Sequence, residues 1–80
     1  MIRILLFAGL AEAAGSRELH YPAEEAVAVR ELKTWFAAQY PSAADVLAIS
    51  FAAVNQAYAD DDTLVSSADE VAFIPPVSGG

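Results

Sequence analysis

Eighty residues make one domain, and a chain of that size buries only about 60–65% of its unfolded surface, so its core must be small. A hydrophobic content of 56% excludes disorder, and the lack of cysteine excludes disulfides, thiolate metal sites and thiol nucleophiles. Four basic against eleven acidic side chains, a net charge of −7, argue against nucleic-acid binding and membrane-surface attachment, and suit a basic protein partner.

Ile2 to Ala8 is a nearly continuous apolar run and predicts a central strand. Alternation sends Ile2, Ile4 and Leu6 to one face and Arg3, Leu5 and Phe7 to the other. The same run resembles a signal peptide, but it is short and Glu12 interrupts the region before any cleavage site. No stretch is long enough to span a bilayer, so a cytoplasmic protein is expected. Gly9 to Ala14 predicts a short helical turn stopped by Gly15, and Arg17 to Tyr21 a second strand ended by Pro22.

From Glu24 to about Gln39 the pattern is helical, with Val29, Leu32, Phe36 and Tyr40 forming the apolar stripe and Trp35 flanking it. Glu24 and Glu25 suit the positive end of the helix dipole, although no side chain offers an obvious N-cap. Pro41 ends this helix, and Ser42 is placed to cap a second short one through Leu47. Ile49 to Val54 reads as a third strand, Asn55-Gln56 as its turn and Ala57 to Ala59 as a short return. Asp60-Asp61-Asp62 reads as a solvated turn, because it lacks the glycine and distal glutamate of a calcium loop. Glu70 to Ile74 is the last strand, with Val71 and Phe73 on one face and Ala72 and Ile74 on the other.

This order predicts an α+β fold in which one helix lies across one mixed sheet. The first and last strands are the most apolar and should be central neighbours. Their second faces then leave Phe7 and Ile74, with Tyr58 nearby, uncovered as a candidate partner surface. His20, the sole histidine, has no ligand set around it and suits a surface strand position. No Ser-His-Asp set, carboxylate pair or phosphate loop is present, so the chain is not expected to catalyse anything alone.

The ending Pro75-Pro76-Val77-Ser78-Gly79-Gly80 carries the most information. Two terminal glycines add nothing to a core and are costly to order, but they let a terminal carboxylate thread a narrow channel. The prolines stiffen the base of that tail and stop strand pairing. Extended, Val77 to Gly80 reaches about 13 Å. The chain thus divides into a domain over residues 1–76 and a flexible tail over residues 77–80.

These residues together resemble the small subunit of molybdopterin synthase, the MoaD-type sulfur carriers, which share the ubiquitin-like β-grasp fold with the ThiS thiamin carriers. The resemblance rests on Ile2-Arg3-Ile4-Leu5-Leu6-Phe7-Ala8, on Leu10, Glu12 and Gly15, and on Val29-Arg30-Glu31-Leu32. It continues through Ala53-Val54-Asn55-Gln56 and ends with Asp69 to Gly80, the most specific part. Two positions depart from the family pattern: Ala11 stands where an arginine is frequent, and Ser78 where threonine is usual.

The resemblance implies that Gly80, preceded by Gly79, is the working residue. A MoeB-type, E1-like adenylating enzyme would use ATP with magnesium to activate its carboxylate, and a sulfur donor would convert it to a thiocarboxylate. The loaded tail would then enter a MoaE-type large subunit, in a heterotetramer, and give sulfur to cyclic pyranopterin monophosphate. Phe7, Tyr58, Ile74, Pro75, Pro76, Val77 and Ser78 would face partners, and this chain would bind no cofactor itself. Carriers for thiamin or cysteine synthesis, a ubiquitin-like protein modifier, and an interaction module with an inert tail remain alternatives.

Overall fold

The computed structural model describes residues 1–76 of the chain. Its centre is built by the two most apolar strands. β1 (Ile2–Leu6) runs parallel to the last strand, β7 (Glu70–Ile74), with Ile4 opposite Val71 and Leu6 opposite Phe73. Ile2, Ile4, Leu6, Val71 and Phe73 point into the core and are buried, as the period-2 alternation predicts. β2 (Glu18–Tyr21) adds antiparallel to the free side of β1. β4 (Phe51–Val54) adds antiparallel to β7, and β5 (Ala57–Ala59) pairs with β4. The mixed five-stranded sheet therefore has the order β2-β1-β7-β4-β5.

Turn chemistry sets the local geometry. α1 (Ala8–Ala14) stops at Gly15, whose φ of 68° belongs to the left-handed region, and its last turn is closed by a bond from the Ser16 amide to the Ala11 carbonyl at 3.2 Å. The β4–β5 hairpin turns through Asn55 and Gln56 with φ of 51° and 70°, the paired positive values of a type I′ turn. Asparagine tolerates that region; glutamine does so at a cost.

The main helix, α2, spans Val29–Gln39 and starts later than the sequence pattern suggests. Glu24 and Glu25 lie in the preceding loop, and Glu31 is the acid of the first helical turn. The cause is tertiary. Val27–Ala28 form a short strand, β3, paired antiparallel with Leu64–Val65, β6, which residue patterns did not reveal. That ribbon brings the Thr63 and Asp61 carbonyls to the Val29 and Arg30 amides at 2.9 and 3.0 Å. Loop backbone thus satisfies the helix start, which explains the missing side-chain cap.

Pro41–Ala43 form a turn of 3₁₀ helix and Ala44–Ala48 the short helix α3. Ser42 does not cap it; Ala43 stands at that position without a side-chain bond. Ile49 and Ser50 close the turn after α3 through bonds to the Val46 and Leu47 carbonyls, so β4 begins only at Phe51.

One face of the sheet is covered by α2. Val29, Leu32 and Phe36 are fully buried, and the Phe36 ring meets Phe73 edge-on at 6.1 Å and Tyr40 at 5.2 Å. Trp35 flanks the stripe and packs edge-on against Tyr21 at 5.2 Å. Burying these rings together with the aliphatic side chains of β1, β7 and α2 supplies the main driving force for so small a domain.

Candidate functional site

The opposite face of the sheet has no covering element among the described residues. β1 sends Leu5 there and Phe7 follows just past its end, β7 sends Ala72 and Ile74, and β4 with β5 add Phe51, Ala53 and Tyr58. The register explains the grouping: Leu5 lies opposite Ala72, Ala72 opposite Ala53, Ala53 opposite Tyr58, and Ile74 opposite Phe51. Small alanines in the middle leave a shallow apolar depression of about 450 Å³ between the larger side chains. Phe7 is 47% exposed, Phe51 53% and Tyr58 80%, while Ile74 is half-buried.

The residues named from sequence thus share one surface: Phe7, Tyr58 and Ile74 all line the depression. Phe51 was missed. Its ring centroid lies 5.6 Å from that of Tyr58, making the pair one aromatic ridge. No signal in Phe51-Ala52-Ala53-Val54 identifies the outer face, because each alternating pair holds one large and one small residue. Only pairing with β7 decides it.

The other end of the same face is charged. The Arg3 guanidinium lies 3.1 Å from Glu70 and 3.8 Å from Glu18, and His20 Nε2 lies 2.9 Å from Glu18 Oε2. His20 occupies the exposed strand position expected of it. Among the described residues no group of His, Asp or Glu side chains has the arrangement of a metal site.

The turn that carries Tyr58 is clamped to the start of β7. Asn55 Nδ2 donates to Asp69 Oδ1 at 2.9 Å, and the Glu70 amide donates to Asn55 Oδ1 at 2.9 Å. The Ser66 amide donates to Asp69 Oδ2 at 2.8 Å. The Asn55 and Ser66 donors, Asn55 first, hold the Asp69 carboxyl below its ordinary range.

Asp60-Asp61-Asp62 is exposed, as a turn should be, and it also ties its loop to α2. Lys33 donates to Asp61 at 2.8 Å, and Arg30 pairs with Asp62. The Lys33 bond keeps the Asp61 carboxyl low, and the Asp62 bond raises the Arg30 guanidinium. The Asp60 carboxylate accepts from the Asp62 amide and the Thr63 hydroxyl, folding the turn on itself.

Parallel pairing of β1 with β7 makes both strands leave the sheet at the same edge, so Ile74 and the prolines follow directly beside Phe7. Pro75 is half-buried and Pro76 exposed. Val77, Ser78, Gly79 and Gly80 lie outside the described residues.

A mixed sheet grasping one principal helix, with an open apolar face beside the exit of the C-terminal chain, defines a ubiquitin-like β-grasp domain. The chain belongs to the ThiS family, whose model matches residues 4–80. It is 40% identical to the molybdopterin synthase sulfur carrier subunit of Dictyostelium discoideum, over 98% of this chain and 94% of that protein. The crystal structure of SAMP1 from Haloferax volcanii superposes with a TM-score of 0.83 at 28% identity, covering 99% of this chain and 98% of that one. The fold is also that of a chain in the complex of subunits 1 and 2 of molybdopterin-converting factor from Helicobacter pylori. There the TM-score is 0.69 at 19% identity, with 99% of this chain and 97% of that chain covered.

Proposed function

We propose that this chain is the sulfur carrier subunit of a molybdopterin synthase and that Gly80 carries the sulfur. The observation that supports this most is the Pro-Pro-Val-Ser-Gly-Gly ending, which continues a strand whose neighbours form an open apolar face. Identity of 40% to a carrier subunit over almost the whole length adds to it.

The chemistry needs two partners. A carboxylate with a pKa of about 3.5 is ionised at neutral pH and resists attack. An adenylating enzyme holding ATP and magnesium therefore lets the Gly80 carboxylate oxygen displace pyrophosphate from the α-phosphorus, giving an acyl adenylate. The outer sulfur of a donor's persulfide then displaces AMP at the carbonyl carbon to form an acyl disulfide. A second thiol of the loading machinery cleaves its S–S bond, leaving the thiocarboxylate and a new disulfide between that thiol and the donor sulfur. The large subunit supplies the catalytic site in which that sulfur passes to the pterin precursor, and water returns the carrier to its carboxylate. The product dithiolene holds two sulfurs, so two loaded carriers are consumed, in keeping with a heterotetramer.

The chain's own part is to present and protect the reactive end. Phe7, Tyr58 and Ile74 anchor the partner, Pro75 and Pro76 direct the tail, and Val77 to Gly80 enter the partner's channel. Lacking cysteine, the chain has no thiol to capture its own activated acyl group.

Loading with purified adenylating enzyme, ATP-magnesium and a sulfur donor, read by intact mass, tests the reading. Exchange of oxygen for sulfur adds about 16 Da. A chain lacking Gly80 is expected to fold, stay unloaded and support no molybdopterin formation. Sulfur transfer by that truncated chain would remove the claim. The 28% identity to SAMP1 favours a second reading, a protein modifier joined through Gly80 to lysines. Conjugates one protein heavier, in place of the small mass gain, would identify it.

A further inference from the structure

The chain has four cationic side chains, and three have carboxylate partners: Arg3 meets Glu70 and Glu18, Arg30 meets Asp62, and Lys33 meets Asp61. Arg17 is different. Although the chain carries eleven acids, no carboxylate among the described residues lies within 4.0 Å of its guanidinium.

Arg17 is exposed and lines a depression of about 400 Å³ with Leu5, Leu6, Phe7, Ala8 and Ala11. Its backbone is anchored there, because the Arg17 carbonyl accepts the Leu6 amide at 2.8 Å. Phe7 is common to this depression and to the apolar one on the sheet face, so Arg17 stands at the rim of the candidate docking surface.

We propose that Arg17 is an electrostatic docking contact that takes a carboxylate from the large subunit as that protein covers Phe7. This rests on the functional reading above. A guanidinium beside an apolar surface loses water when the surface is covered, and its planar fork then needs an anionic acceptor. With the chain at a net −7, overall attraction is to a basic partner. A partner carboxylate at Arg17 is the local exception, and it fixes orientation where general attraction cannot.

The two kinds of attraction give opposite signs in one experiment. Arg17→Glu makes the chain two charges more negative, so overall steering alone predicts faster association. Association of the full-length chain with purified large subunit is measured by stopped flow at about 0.05 and about 0.5 M salt. We expect Arg17→Glu to slow association about tenfold at low salt, with the difference closing at high salt and Arg17→Lys keeping most of the rate. Thermal unfolding should match the parent chain, since Arg17 makes no ion pair within the described residues. Phe7→Asp, measured alongside, separates the failures. If Phe7→Asp loses binding while Arg17→Glu associates as fast as the parent or faster, the Arg17 contact is overturned and the functional reading stands. If neither variant alters binding, or the parent does not bind, both fall. Slowing that persists at high salt, or an effect confined to self-association of the free chain, also overturns the contact.

Discussion

Phe7 and Phe36 show how position, more than residue type, sets the role of a phenylalanine in this chain. Phe36 is fully buried between Phe73 and Tyr40, and Phe36→Ala should cost about 3–5 kcal/mol, enough to unfold much of so small a domain. Phe7 is 47% exposed at the end of β1. Phe7→Asp should shift the thermal midpoint by only a few degrees while weakening binding to the large subunit by about tenfold or more. Calorimetry of unfolding and titration of the complex check the two halves, and a collapse in stability would show Phe7 to be core.

Asp69 provides a pH signature at the same scale. Its carboxyl is held below the ordinary 3.8 by Asn55 and Ser66, so the unfolded chain binds this proton more readily than the folded one. Its contribution to stability is therefore complete above about pH 4 and is lost as pH falls through the lower folded value. Asn55→Ala should destabilise the protein at neutral pH, and the gap to the parent should narrow below pH 3.8. Denaturant unfolding across that range measures it. A constant gap would mean that Asn55 acts only through the Glu70 amide and through its tolerance of positive φ, without holding the Asp69 carboxylate.

At the scale of elements, two turns hold residues in the left-handed region for different reasons. Gly15 ends α1 with nothing within 4 Å of where a Cβ would stand, so Gly15→Ala should cost only the backbone penalty, about 1 kcal/mol. Gln56 sits at φ 70° in the β4–β5 turn without the glycine that such turns favour. Gln56→Gly should raise stability by up to about 1 kcal/mol, a rise of about 4–8 °C in midpoint for a domain of this size. An unchanged or lower midpoint on thermal unfolding would show that the hairpin gains nothing from relieving that residue. The Asn55-Gln56 turn itself was visible from residue types, because it lies between two short apolar runs. The β3–β6 ribbon was not, since two strands of two residues leave no periodicity to detect.

Seen whole, the molecule couples a large apolar face to a strongly negative charge. The exposed Phe7, Phe51 and Tyr58 rings invite self-association, which a net −7 opposes at neutral pH. As pH approaches the pI of about 4.2 that opposition vanishes. Sedimentation velocity should show a monomer at neutral pH and a rising average mass toward pH 4.2, blunted in Phe7→Asp. Unchanged association in that variant would place the contact elsewhere. Among the described residues no helix is long and apolar enough to cross a membrane.

Local patterns in the chain were enough to determine much of this protein. Alternation along β1 and β7 set their inner and outer faces, and Gly15 and Pro41 marked helix ends. These are properties of neighbouring residues, and steric and hydrophobic rules act on them directly. Tertiary structure decided what depends on partners distant in sequence. The start of α2 follows from Thr63 and Asp61 carbonyls more than thirty positions away, which no local cap could reveal. The outward turn of Phe51 follows from its register with Ile74, and the lack of an ion pair at Arg17 from where the carboxylates of the described residues came to rest. Pairing across the sheet and between loops is a long-range choice, and it alone assembled scattered side chains into one face beside Ile74 and Pro75.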